Sequence, residues 1–154
     1  MEGLLLENVA DKLREHGFEV TVHSTADGVA DAVLAEIPLD AVVNRCGSAT
    51  CAQLELFEKL AARGNRINDP YEPTLDDEAK ARVRRNGLTA DVLLTGTNAI
   101  TRDGKLVNID GVGNRVASQV FGPGKVVIVA GRNKVVPDVP AAIRRIKLEA
   151  CPKN

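Results

Sequence analysis

Apolar residues recur at three- and four-residue steps near the start of the chain, where Leu5, Leu6, Val9, Ala10 and Leu13 share one face of residues 4–15. That spacing predicts a helix, with Gly17 as its stop signal. Residues 18–23, "FEVTVH", alternate as a short strand does. Ser24 or Thr25 can cap a second amphipathic helix running to about Ile37, before Pro38. The stretch "DAVVN", residues 40–44, is short and nearly all apolar, which suits a strand covered on both faces. A loop, "RCGSAT", leads into a third helix ending near Gly64, and "NRINDPYEPT" reads as a short strand end and a connection. "LDDEAKARVRRNG" predicts a fourth helix, with acids in its first turn and arginines in its last.

Two further buried strands are predicted at "DVLLTG", residues 91–96, and "KVVIVAG", residues 125–131. Between them Asp103-Gly104 separates two strand-like stretches, a strong hairpin signal. A glycine turn and a helix of about two turns follow, and "VPAAIRRIKLEA" predicts a closing helix. Strands and helices therefore alternate. The expected fold class is α/β, three-layer, with a mostly parallel central sheet and a late antiparallel hairpin.

Length and composition narrow this picture. With 154 residues, 44% of them hydrophobic, the chain suits one compact domain over 1–154, and it contains no repeats, low-complexity tracts or linkers. Twenty basic against twenty-one acidic residues leave a formal charge of -1. Nothing in that balance draws the protein to nucleic acid or to an anionic membrane, so anion binding has to be local. Aromatic residues are limited to Tyr71, Phe18, Phe57 and Phe121, which removes the stacking platforms of single-strand binders. The leading "MEGLLLENVADKLREHG" has a run of three leucines before charges begin, too short for a signal peptide or a membrane span, and a cytoplasmic location is expected. Cys46, Cys51 and Cys151 form an odd, sparse set without C-x-x-C spacing, as a reducing compartment allows.

In open α/β sheets, ligands bind beyond the carboxyl ends of the strands. Four glycine-bearing loops are expected on that edge. In the first, Gly47, Ser48 and Thr50 precede a helix, where backbone N–H groups and hydroxyls can meet an anion, or where Ser48 can serve as an N-cap alone. In the second, Thr95, Gly96, Thr97 and Asn98 crowd the end of an apolar strand. The third, "NIDGVGNR", resembles a dinucleotide fingerprint but has Val116 where a third glycine or alanine belongs, and it follows a late hairpin rather than a first βαβ unit. It offers Gly111 and Gly113 for close backbone approach, Asp110 as a carboxylate, and Asn114 and Arg115 at a helix start. Arg115 can fork onto a phosphate or carboxylate, or pair with Asp110 and hold the turn closed; Val116 is expected to face the core. The fourth loop carries Gly131, Asn133 and Lys134 after Arg132. His16 and His23 lie away from these loops and lack further ligands for a metal, and Cys46 and Cys51 read as small buried hydrophobes, or as a thiolate at a helix start. No metal and no cofactor is predicted within the chain.

The stretch "LTADVLLTGTNAITRDGKLVNIDGVGNRVASQVFGPGKVVIVAGRNKVVPDVPAAIRRIKLEACPKN", residues 88–154, closely resembles the LUD domain family, the lactate-utilisation proteins, and the first half agrees more loosely through "CGSAT". The resemblance implies a fold like that of ribose-5-phosphate isomerase, glucosamine-phosphate deaminase and the coenzyme A transferases. It also implies a role in bacterial lactate oxidation, as a subunit or accessory beside iron–sulfur partner proteins that turn L-lactate to pyruvate. Longer relatives continue with a cysteine-rich tail past the point where this sequence stops, and Cys51 stands where leucine is more usual. A more distant similarity, of residues 95–117 to the methylthioribose-phosphate isomerases, puts Asn98 at the place of their acidic catalytic residue, and an amide cannot relay a proton as a carboxylate does. Asp110 is then the one nearby acid placed to act as a base. The expectation is a small anionic ligand on the four loops; the alternatives are a stand-alone sugar-phosphate isomerase-like or coenzyme A transferase-like enzyme using Asp110 with Arg115 or Lys134, and an assembly protein. The ligand's identity and any homo-oligomer are left open.

Overall fold

The computed structural model describes residues 2–153. Two compact units emerge: one formed by Thr25–Gly96 and Asp110–Val129, the other by Met1–Ser24, Thr97–Ile109 and Ala130–Asn154 as far as these are described. The expected α/β class with a parallel central sheet is found in the first.

That unit contains α2 (Ala26–Glu36), β1 (Val42–Arg45), α3 (Ala49–Gln53), α4 (Leu56–Ala62), β2 (Arg66–Asn68), α5 (Asp77–Asn86), β3 (Val92–Thr95), α6 (Asn114–Phe121) and β6 (Lys125–Ile128). Its four strands run parallel in the order β2-β1-β3-β6. The pleat sorts their side chains. Val43 of β1 and Val92 and Leu94 of β3 join Ala30, Val33, Leu56, Phe57 and Leu60 of α2 and α4 in one core. Asn44 and Asn68 point the opposite way, toward Ser118 of α6 and the Val83 carbonyl of α5. Helices thus cover both faces. Local signals set the helix starts: Thr25 Oγ1 accepts from Gly28 N at 3.1 Å, and Asp76 Oδ1 accepts from Ala79 N at 2.7 Å.

Three expectations need correction in this unit. The third helix is broken into α3 and α4 at Glu55, whose φ of 51° is left-handed, and the break sets Leu56, Phe57 and Leu60 into the core. Strand β6 is not buried on both faces, because it has a neighbour on one side only; Lys125 and Val126 are exposed. Val116 does not lead the inward face of α6, which buries Arg115 and Ser118.

The other unit holds α1 (Glu2–Glu15), β4 (Ala99–Thr101), β5 (Leu106–Val107), β7 (Val135–Val136) and α7 (Val139–Arg145). The hairpin forms at Asp103-Gly104, with Ala99 opposite Val107 and Ile100 opposite Leu106. It belongs to a second sheet, β5-β4-β7, rather than to the parallel one, and β4 pairs in parallel with β7, a two-residue strand that periodicity cannot reveal. Val9 and Leu13 of α1 pack with Ile100, supported by Val20, Leu106 and Val135. Residues 18–23 are not a strand: no ladder forms, Phe18 N turns back to Leu13 O, and Val20 O accepts from Arg14. An alternating pattern without a partner's backbone stays an extended connection.

Candidate functional site

In the order β2-β1-β3-β6 the chain leaves β1 to one side to form β2 and then returns to the other side to form β3. Such a reversal opens a crevice at the carboxyl ends of the two central strands. The residues there are Gly47, Ser48 and Thr50 after β1, and Thr95 and Gly96 at the end of β3. Ser48 is the N-cap of α3, its Oγ accepting from Cys51 N at 3.2 Å. A Cβ on Gly96 would stand 2.6 Å from Ser48 Oγ and 3.4 Å from the Val129 carbonyl; one on Gly47 would stand 2.8 Å from Tyr71 Oη. Glycine at 96 is what lets the loop after β3 close on Ser48, and glycine at 47 leaves room for the Tyr71 hydroxyl from the segment after β2. Thr95 is fully buried, its carbonyl accepting from Val129 N at 2.9 Å, and Thr50 is half-buried.

The loop carrying Asp110, Gly111 and Gly113 follows β5 of the second sheet, so it does not leave the parallel sheet as expected, yet its residues belong to the parallel-sheet unit. Arg115 pairs with Asp110: Nε lies 2.8 Å and Nη2 2.7 Å from Oδ1, with the two side chains 11% and 8% exposed. Asp110 Oδ2 accepts from Val116 N at 2.7 Å, so the carboxylate also caps α6, whose N-cap Gly113 has a left-handed φ of 82°. Both oxygens are engaged, which suits Asp110 to holding Arg115 and α6 rather than to taking a proton. A Cβ on Gly111 or Gly113 would meet nothing within 4 Å.

Asn114 Nδ2 reaches Cys46 Sγ at 3.5 Å, opening a chain of amides, Asn44 buried and Asn68 and Asn114 half-buried, that sequence reading missed. Asn44 donates to Ser118 Oγ at 3.2 Å and approaches Cys46 Sγ at 3.9 Å; Asn68 donates to Asn44 Oδ1 at 3.0 Å and to Val83 O at 2.9 Å. The available signal was Asn44 itself, an amide ending an apolar strand. Arg45, also missed, pairs with Asp69 at 2.8 Å and lies over the rings of Phe57 and Tyr71, 4.8 and 5.6 Å from their centres.

The thiols of this region are held neutral. Burial is the main cause that pushes Cys46 up to about 11; the Asp110 charge adds to it, while Arg115 and the Asn114 hydrogen bond oppose it. Burial also raises Cys51 to about 11 against the Ser48 hydrogen bond and Arg45. The reading as small buried hydrophobes is therefore the one the surroundings favour over a thiolate at a helix start. Unfolded cysteines ionise near 8.5. Between that pH and about 11 the unfolded chain sheds these protons while the folded protein keeps them, so this contribution to stability is full below about pH 8.5 and declines as pH rises toward 11. The expected result at pH 8 is that iodoacetamide modifies exposed Cys151 and leaves Cys46 and Cys51 untouched until denaturant is added, as read by peptide mass. Modification of all three at one rate in the folded protein would contradict this.

The remaining sequence candidates, Thr97, Asn98, Gly131, Asn133 and Lys134, belong to the other unit. There Thr97 Oγ1 lies 3.1 Å, and Asn98 N 3.0 Å, from Asn108 Oδ1, while Asn98 Oδ1 accepts from Ile109 N at 3.0 Å. This clasp closes the open end of the hairpin. Arg145 donates to the carbonyls of Asn98 and Asn133 at 2.6 and 3.0 Å, and Lys134 N to Gly131 O at 3.0 Å in a short turn. His16, outside the candidate set, has Nδ1 2.9 Å from Gly104 O.

Among the described residues no group of three or more His, Cys, Asp or Glu is placed to hold a metal ion, and no helix is long and apolar enough to cross a membrane. Comparison with protein families finds a match to the LUD domain over residues 6–154. No curated protein and no solved structure matches.

Proposed function

Because the chain belongs to the LUD domain family, which is associated with lactate utilisation, we propose that it serves the oxidation of lactate or a related organic acid as a subunit or accessory. In this reading it holds a small anionic ligand at the carboxyl ends of β1 and β3. The observation that carries the ligand is the reversal of chain order between those strands, where Ser48 and Gly96 bring the loops together and Asn114 reaches Cys46 beside Gly47. Backbone and amide donors fixed at such a place stabilise negative charge and supply no strong base. The partners expected are the iron–sulfur proteins of lactate oxidation.

The test is growth. Cells deleted for this gene should lose growth on L-lactate and keep growth on glucose, and the wild-type chain should restore it. Equal growth on L-lactate with and without the gene would overturn the cellular role. Turnover of sugar phosphates or coenzyme A esters by the purified protein alone, lost in an Asp110→Asn variant that keeps the wild-type denaturant midpoint, would replace the accessory reading with an enzymatic one.

A further inference from the structure

Helix α6 is polar on the side it buries and apolar on a side it exposes. Arg115 is buried in its pair with Asp110, and Ser118 in the hydrogen bond it accepts from Asn44 of β1. Helical spacing then gathers Val116, Ala117, Val120 and Phe121, at positions i, i+1, i+4 and i+5, on another face. Val116 is half-buried and the other three are exposed. Phe121 at 89% and Val120 at 80% are the barest large apolar side chains among the described residues, and Val112, two residues ahead of the helix, is 68% exposed. From Val112 to Gly124 the sequence carries one charge, Arg115, and that charge is turned inward against Asp110.

We propose that this face joins two copies of the chain in a symmetric dimer, their α6 helices packed antiparallel about a two-fold axis beside Val116 and Ala117. In such a pair Phe121 of each copy meets Val112 of the other, and the small Ala117 lets the two backbones approach. The absence of charge selects the occupant. A charged partner surface would lose its hydration here and find nothing to pair with, whereas a second copy brings the same uncharged stripe and repels nothing. The area agrees. Side chains of this size leave roughly 400 Å² of apolar surface bare. A standard dimer interface draws about 800 Å² from each partner, so the stripe supplies its apolar centre and the polar residues around it the rim. Phe121, an aromatic ring standing almost wholly in solvent, is the anchor of the contact.

Sedimentation velocity on the purified full chain, from low micromolar to several hundred micromolar, tests the dimer. The wild type should pass from monomer to dimer over that range, and Phe121→Lys and Val112→Lys should each weaken the association at least tenfold, as the loss of a central contact does. Lysine suits the last turn of a helix, so Phe121→Lys keeps α6, and circular dichroism with the melting temperature checks each variant. Leu148→Lys, which changes a side chain 71% exposed outside this face, should leave the association as it is. A cross-link reads the axis directly. Cys46 and Cys51 are buried, so in a Cys151→Ser background Ala117→Cys supplies the one exposed thiol, and mild oxidation should join two copies through it faster than through Leu148→Cys. A wild type that stays monomeric at every concentration would overturn the dimer and leave this face to a different partner. Association unchanged in both Phe121→Lys and Val112→Lys, or cross-linking at Ala117→Cys no faster than at Leu148→Cys, would overturn the α6 contact.

Discussion

Gly104→Ala lowers stability by about 2–5 kcal/mol, the sum of two separate costs. The first is conformational: Gly104 has a φ of +82°, and an L side chain in the left-handed region costs roughly 1–2 kcal/mol. The second is steric. A Cβ there would lie 2.8 Å from the carbonyl carbon and oxygen of Lys12 and 3.0 Å from Leu13 N, all backbone of α1. A helix backbone cannot step aside as a flexible side chain can, so α1 and the hairpin would have to part, disturbing the Val9, Leu13 and Ile100 cluster. Overpacking of this kind costs typically 1–3 kcal/mol. Gly113→Ala supplies the control, because Gly113 has the same φ of 82° and a Cβ there meets nothing within 4 Å. Urea unfolding of the two variants should show Gly113→Ala losing only the conformational part. Equal losses would mean that the hairpin does not seat against α1 as described.

Removing either member of the Asp110–Arg115 pair is the second large effect. Both side chains are about nine-tenths buried, so Arg115→Ala leaves a carboxylate, and Asp110→Ala a guanidinium, in a site with little water. Stranding a buried charge costs about 3–5 kcal/mol. Asp110→Ala adds the loss of the cap on Val116 N, worth about 1 kcal/mol. The double variant Asp110→Leu with Arg115→Met should recover much of the loss, because a buried ion pair replaced by apolar groups of similar volume is often neutral. Denaturant midpoints of the two singles and the double form the cycle. Strictly additive losses would show that the pair is solvated and independent. These variants are consequently poor probes of ligand binding unless their folding is measured too.

The helices were legible because their signals are local. The periodicity of α1, the caps Thr25 and Asp76, and the acids and arginines at the two ends of α5 all act within a turn or two of the residues they order. The hairpin was equally legible, because Asp103-Gly104 suits the tight turn it occupies. The break at Glu55 was not, since both flanking stretches keep helical spacing and only the demand to bury Leu56, Phe57 and Leu60 interrupts them. Nor was β7, whose two valines become a strand because β4 offers them a ladder. In the candidate site, Gly47, Ser48 and Gly96 were found from strand-end loops, whereas Arg45 and Tyr71 were not, because each is an ordinary surface residue type until the ends of β1 and β2 bring them together.

By itself the sequence determined the alternation of helices and strands, the parallel sheet that alternation requires, the hairpin turn and the loops at the strand ends. These follow from hydrophobic period, capping and turn chemistry, which are short-range. Only the tertiary structure decided that Asp110 closes on Arg115, that Cys46 lies neutral among asparagines, and that Thr97 and Asn98 close a hairpin. The reason is that charge pairing and desolvation depend on distance in space. Strand order sets that distance, and separation along the chain does not.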